Sequence, residues 1–296
     1  MVIKYVLGTI WNHPSNRGRR LGTIFDALRW QAYKRLNKKP KVIDVYGGLK
    51  MRCYPNSRGA SVMIYSSCWP DYDEMHFVTR YLREGDAVVD VGANIGIYTL
   101  LTASLVGKAG RVVAFEPGSK ALPILRDNVS LNRLEQVEIR EQVIGATDGE
   151  VAFLQDQDLT GRIAADVDVA GGSSPSMTRC ITLDRVVQGP FALGKIDIEG
   201  AEPMAFEGGK QSLLDGNPPV WIMELKDRLL KKYGWTAERF AQVIRDLGYL
   251  LTVYDANSNE LTIIGHDAAD RENVIAIKES AMEHVKARLA ERFPGK

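Results

Sequence analysis

Apolar and polar positions along the chain follow two alternating periods. Residues 88–91, 111–117, 193–198 and 219–225 are short, nearly continuous apolar runs bounded by glycine or charge, the pattern of strands buried on both faces. Between such runs, apolar residues recur at helical spacing over 71–82 (Met75, Val78, Leu82), 121–134, 202–214 and 236–248. In the last, Phe240, Val243, Ile244 and Leu247 form the stripe, Thr236 is the expected N-cap and Gly248 the terminator. The spacing also predicts strands over 137–146, 149–154, 249–255 and 273–279, a further pairing strand over 180–187, and a hairpin around Gly47-Gly48. Seven main strands with intervening helices make a doubly wound α/β sheet. The last two lack a helix between them, which predicts an antiparallel final strand in a hairpin at one edge. The stretch "VAGGSSPS" reads as a surface loop within residues 155–178.

Ahead of this alternation stands a segment of different character. Residues 1–41 hold ten Lys or Arg against one acid, Asp26, giving +9, so the remaining chain carries −8. Within it Leu21, Ile24, Phe25, Leu28, Ala32 and Leu36 keep helical spacing, which predicts an amphipathic helix with a basic face. Its stripe is expected to pack on the core; the other reading is contact with an anionic membrane surface or glycolipid. Nucleic acid is disfavoured, because aromatic residues do not interleave with the basic ones as base stacking requires. The expected organisation is a basic helix and β-hairpin extension over 1–70, a main domain over 71–280 and a helical tail over 281–296.

Composition adds little. The start of the chain is read as retained, because no small-residue cleavage site follows its apolar run. Cys53, Cys68 and Cys180 are too scattered for a disulfide framework or a zinc site, which fits a reducing cytosol, with peripheral contact at the inner membrane surface as the alternative. No metal ligands are expected.

The chemistry begins at "VVDVGANIGIYTL", residues 88–100: a strand, a tight glycine turn and a helix start. A dinucleotide site wants glycine where Asp90 stands, since a carboxylate repels phosphate oxygens. S-adenosylmethionine has no phosphate and carries an ammonium that Asp90 can receive. The Gly92–Gly96 turn lets backbone approach the methionine portion, where Asn94 can bond. Glu116, ending the next strand, can accept both ribose hydroxyls. The expected cofactor set is Glu74, Asp90, Gly92, Ala93, Asn94, Gly96, Tyr98, Thr99, Glu116, Pro117, Gln142 and Asp197. An NAD-dependent dehydrogenase is disfavoured by Asp90. A binding protein that kept the fold without catalysis is the other alternative.

"DVGANIGIYT", "FEP", "TLD" and above all "KIDIEGAEPMAFEGG" followed by "WIMEL" resemble the FkbM family of S-adenosylmethionine-dependent methyltransferases over roughly residues 71–278. The resemblance implies a seven-stranded sheet of the class I methyltransferase type and O-methylation of a sugar, glycolipid or secondary metabolite. It also favours an acid near Glu74. In open α/β sheets ligands sit beyond the carboxyl ends of the strands. There Asp197 is the expected base or acceptor-orienting residue, with Glu199 and Glu224 beside it if their strands are neighbours. Glu199 and Glu202 also suit a helix start. His76 is a further catalytic candidate, because its ordinary pKa lies near neutrality. Lys195 is expected to pair with a nearby acid, and Asp184 to hold a loop.

Overall fold

The computed structural model describes residues 2–155, 159–165, 174–265 and 271–291. Part of the loop expected over 155–178 (residues 156–158 and 166–173) and the end of the expected tail (292–296) lie outside the described residues. The chain opens with helices α1 (Val2–Asn12) and α2 (Arg20–Leu36), a hairpin of β1 (Lys41–Asp44) and β2 (Lys50–Cys53), and helices α3 (Arg58–Tyr65) and α4 (Tyr72–Tyr81). Then come β3 (Ala87–Val91), α5 (Ile97–Val106), β4 (Arg111–Phe115), α6 (Leu122–Leu131) and β5 (Val137–Arg140). Four short strands follow: β6 (Val143–Ile144), β7 (Gly149–Gln155), β8 (Gly161–Ile163) and β9 (Ser176–Ile181), then one turn of helix, α7 (Leu183–Val186). Next are β10 (Leu193–Ile196), α8 (Glu202–Glu207), α9 (Lys210–Leu214), β11 (Val220–Leu225), α10 (Asp227–Leu230) and α11 (Ala237–Asp246). The chain finishes with β12 (Tyr249–Asp255), β13 (Glu260–Ile263), β14 (Arg271–Lys278) and α12 (Met282–Ala290).

The main sheet has eight strands in the order β13-β12-β14-β11-β10-β3-β4-β5. Strands β5, β4, β3, β10 and β11 run parallel, while β14 runs antiparallel to both neighbours. The apolar runs explain the parallel centre, since Val88, Val89 and Val91 of β3 and all of Val220–Met223 in β11 are buried, covered on both faces. One face packs Met75, Phe77, Leu100 and Leu101 against Val88, Val112 and Ile222. The other packs Phe206, Phe240 and Ile244 against Val89, Val113 and Trp221. After β3 the chain winds outward through β4 and β5, and it returns to β3's other side with β10. The two sheet halves therefore diverge between β3 and β10, and a crevice opens above their carboxyl ends.

Several expectations change. The antiparallel last strand is present, but it lies inside the sheet, and the edge is an eighth strand, β13. The single strand read over 137–146 is two: β5 in the main sheet, and β6 in a second sheet ordered β6-β9-β7-β8. Residues 180–187 were read as one strand but turn into α7 after Ile181. The helix read over 202–214 breaks at Gly208-Gly209 into α8 and α9. Tyr46, Met51 and Met63 from the N-terminal region, and Met282, Val285 and Leu289 of α12, all join the main core cluster. The periodicity of α2 is present with its direction reversed. Thr23, Ala27 and Trp30 face inward, while Leu21, Phe25, Leu28 and Leu36 are 76%, 59%, 62% and 82% exposed. No helix among the described residues is long and apolar enough to cross a membrane.

Candidate active site

The crevice above β3 and β10 is a cavity of about 550 Å3. Asp90, Gly92, Ala93, Asn94, Tyr98, Glu116, Pro117, Gln142, Asp197, Glu199 and Glu224 all line it. The turn after β3 is built by close approach. Gly92 has φ +82°, and a Cβ there would stand 2.0 Å from the carbonyl oxygen of Asp197. Only glycine fits, so the β3 turn and the end of β10 press directly on each other. Asn94, also left-handed at φ 51°, donates its backbone N–H to Glu116 Oε2 at 2.7 Å. Gly118 N–H donates to Glu116 Oε1 at 2.7 Å. Glu116 is thus fixed at the cavity wall, each oxygen holding one backbone donor and keeping capacity for another.

Asp90 is buried and accepts a hydrogen bond from Thr99 Oγ1 at 2.6 Å, which ties β3 to the first turn of α5. Its neighbour in register on β10 is Lys195. That lysine is buried, lies 3.4 Å from Asp197 Oδ2, and sits over the Tyr98 ring at 5.2 Å. Burial works against its charge, but Asp197, Asp71, Asp90 and Glu224 together outweigh it and hold the ammonium above its ordinary pKa. A single buried cation therefore organises four acids from separate segments.

β10 and β11 pair in parallel, so the expected convergence of Asp197, Glu199 and Glu224 occurs. Glu224 pairs with Lys226. Burial, then the charge of Asp197, push its carboxyl upward. The turn carrying Asp197 and Glu199 is held by Glu202, fully buried at the start of α8. Its Oε1 accepts the N–H groups of Ile198 at 2.9 Å and Gly200 at 3.3 Å. Glu199 takes a left-handed φ of 59° within that turn, a strain that Glu202 helps to hold.

Four expected residues do not reach the cavity wall. Gly96 and Thr99 lie behind it, supporting the turn and Asp90. Glu74 is partly buried on α4 and acts from a distance, pushing the Tyr98 hydroxyl upward together with burial and Asp71. His76, the further catalytic candidate, lies outside the cavity lining: its ring stacks on Trp69 at 4.5 Å and meets Tyr72 edge-on at 4.4 Å. Asp184 does anchor a segment, but a distant one, accepting from the backbone of Gln211 and Ser212 at the start of α9. Lys195 pairs with a nearby acid, Asp197, as expected; sequence reasoning missed the acids it meets from other segments and the wall contributed by the second sheet, including Phe153, Thr160 and Arg162.

Burial raises Glu74, Glu116 and Glu202 to about 7 and Asp90 to about 6. The folded protein then holds protons over a pH range where the unfolded chain has lost them. Their stability contribution is full below the ordinary carboxylate range and is lost as pH rises to about 7. His76, lowered by burial and then by Arg80, opposes this as a single group. The ligand-free protein is therefore expected to melt at lower temperature at pH 8 than at pH 5. Glu202→Gln, which keeps the Oε1 acceptor and cannot ionise, should remove part of that slope. Calorimetric melting across the range checks this, and a melting temperature that rises with pH would contradict it.

The residues fit S-adenosylmethionine. Gln142 Oε1 is buried on the cavity wall without a partner among the described residues, an acceptor suited to an exocyclic amine. Glu116 offers open lone pairs to a diol, and Asp90 offers charge to an ammonium. No cluster of three or more His, Cys, Asp or Glu suited to a metal ion occurs among the described residues.

A doubly wound sheet with this glycine turn, this strand-end acid and a carboxylate row at its switch point defines a methyltransferase of the class I type. Residues 90–251, more than half the chain, match the methyltransferase FkbM domain, and the chain belongs to that family. Its cofactor is S-adenosylmethionine. The chain is also similar to the ribosomal protein L11 methyltransferase of Thermotoga neapolitana, with 32% identity over 73 residues, covering 25% of this chain and 27% of that one. Among solved structures it is similar to the methyltransferase FkbM of Methylobacillus flagellatus KT, at 14% identity and TM-score 0.42, covering 87% of this chain and 60% of that one. Aeropyrum pernix fibrillarin with natively bound S-adenosyl-L-methionine is similar at 13% identity and TM-score 0.39, covering 67% and 68%. The chain thus spans about a quarter of the curated relative it matches, and 60% of the M. flagellatus protein.

Proposed function

We propose that the protein is an O-methyltransferase that uses S-adenosylmethionine to methylate a hydroxyl of a glycan, glycolipid or secondary metabolite. The observation that carries this reading is the meeting of Asp197, Glu199 and Glu224 with the cofactor residues in one cavity. When bound, S-adenosylmethionine would supply an electrophilic methyl group for transfer to the acceptor oxygen, its sulfur keeping the bonding electron pair. Glu116 would receive the ribose hydroxyls and Asp90 the ammonium. Asp197 orients the acceptor hydroxyl and takes its proton. Lys195, 3.4 Å from Asp197 Oδ2, holds that carboxylate in place, and Glu224 stands on the same cavity wall. Glu202 acts through the 198–200 turn as a positioning residue. Residence in the cytoplasm belongs to the same reading.

The same reading makes the acceptor anionic. Arg58, Arg228 and Lys232 line the cavity from three elements, and among the described residues none of them has an ion pair. Labelled methyl donor should be tested against matched neutral and anionic hydroxylated acceptors, such as a glucoside and a glucuronide. Transfer is expected to favour the anionic member. The Arg228→Ala, Lys232→Ala double variant should raise KM for it about tenfold, the worth of one charge-assisted contact, with kcat little changed. Cofactor binding without transfer to any acceptor would replace this reading with a non-catalytic binding protein.

A further inference from the structure

The outward face of α2 is apolar, and nothing among the described residues covers it. Leu21, Phe25, Leu28 and Leu36, with the exposed Ala32 between them, lie on the side opposite Thr23, Ala27 and Trp30. Trp11 of α1 is 47% exposed beside the same helix: the Arg20 guanidinium stands 5.1 Å over its ring and donates to its carbonyl at 2.9 Å. Arg29 stands 5.7 Å over the Phe25 ring. α2 reaches α3 through its inner face: the buried Trp30 packs with Ala60 and Cys53 and donates Nε1 to Ser61 Oγ at 3.0 Å, while Asn16, just before α2, donates to Tyr65 O at 2.8 Å. The helix is thus docked by its narrow inner face, and its large apolar side chains stay outside. An exposed contiguous apolar stripe marks a binding surface.

We propose that α1 and α2 form an interfacial helix pair that seats the protein on an anionic lipid bilayer. Leu21, Phe25, Leu28 and Leu36 enter the acyl boundary, and the flanking cations meet the headgroups. Charge decides the occupant. Ten basic residues against one acid within 1–41 would repel a second copy of the same face, whereas an anionic surface attracts it. The mixture of aromatic, leucine and arginine side chains is the composition of helices that lie in the plane of a membrane interface. α3 links this surface to the cavity, because it carries α2 on one side while Arg58, Gly59 and Val62 line the cavity. An acceptor carried in a bilayer would therefore meet the site one helix away from the lipid. The proposal rests on the surface alone and does not require methyl transfer.

The test is co-sedimentation of the full chain with phosphatidylcholine vesicles, with and without phosphatidylglycerol, alongside Phe25→Glu, Leu28→Glu. Both side chains are mostly exposed, so the double variant should fold; circular dichroism and S-adenosylhomocysteine affinity verify that separately. The wild type should partition to anionic vesicles about tenfold more strongly than to neutral ones, less so in high salt. The double variant should lose about tenfold or more. No vesicle binding by the wild type would overturn the proposal. So would undiminished binding by the variant, which would mean charge alone. A wild-type dimer that the variant dissolves, without vesicle binding, would overturn it in favour of a second copy. Unchanged S-adenosylhomocysteine affinity in any of these outcomes leaves the methyltransferase reading where it stood.

Discussion

Gly92→Ala should abolish measurable cofactor binding and lower stability by roughly 3 kcal/mol or more, the range for strained backbone combined with a close contact. The new Cβ would stand 2.0 Å from the Asp197 carbonyl oxygen and 2.9 Å from its carbon, both backbone atoms that no rotamer can move aside. It would also sit at φ +82°, where an L side chain is strained. Relief requires the β3 turn to part from the end of β10. Because Asp197 N–H bonds Val91 O at 3.0 Å, that separation breaks the contact ordering both the cofactor turn and the carboxylate row. Calorimetric melting and titration with S-adenosylhomocysteine measure the two effects. A variant with native melting temperature and affinity would mean that the turn is looser than described.

Asp197→Asn should leave the fold nearly intact and lower kcat/KM for methyl transfer by about 10²–10⁴, the range for loss of a general base. Its side chain is 47% exposed, so its pairing with Lys195 is screened and contributes little to stability. Lys195 also keeps Asp71, Asp90 and Glu224 in its surroundings. What the substitution removes is the carboxylate proposed as proton acceptor, just after β10. A fall in kcat without a change in melting temperature separates this role from a structural one. Turnover within about threefold of wild type would move the base to Glu224, since the loss expected of a true base is far larger.

Much of this arrangement can be read from local sequence. The apolar runs give β3, β4, β10 and β11 because strands buried on two faces have little room for polar residues. The turn after β3 announces itself through Gly92, Asn94 and Gly96, whose left-handed backbone suits glycine and asparagine. Asp197 and Glu224 were identifiable as strand-end acids, and their meeting follows once β10 and β11 pair. Long-range pairing was not legible. The second sheet joins β6 to β9 across more than thirty residues, and no local period reports such a partner. Periodicity defines a stripe on α2 without saying which way it faces; Trp30 and Ala27 won the inner side, and the leucines were left outside. His76 has a suitable ordinary pKa, but its ring is taken up by local neighbours, Tyr72 one turn earlier on α4 and Trp69 just before the helix, which a reading for chemistry alone passes over. Lys195 was visible as a charge in an apolar strand, whereas three of the four acids around it, Asp71, Asp90 and Glu224, come from other segments of the chain.

The most direct test of the cofactor site is calorimetric titration of the wild type and Glu116→Ala with S-adenosylhomocysteine and with NAD. The wild type should bind S-adenosylhomocysteine and not NAD, and Glu116→Ala should weaken that binding roughly 10- to 100-fold, the worth of hydrogen bonds to a charged group. Binding of NAD alone, or equal S-adenosylhomocysteine affinity in the two proteins, would contradict the roles given to Asp90 and Glu116.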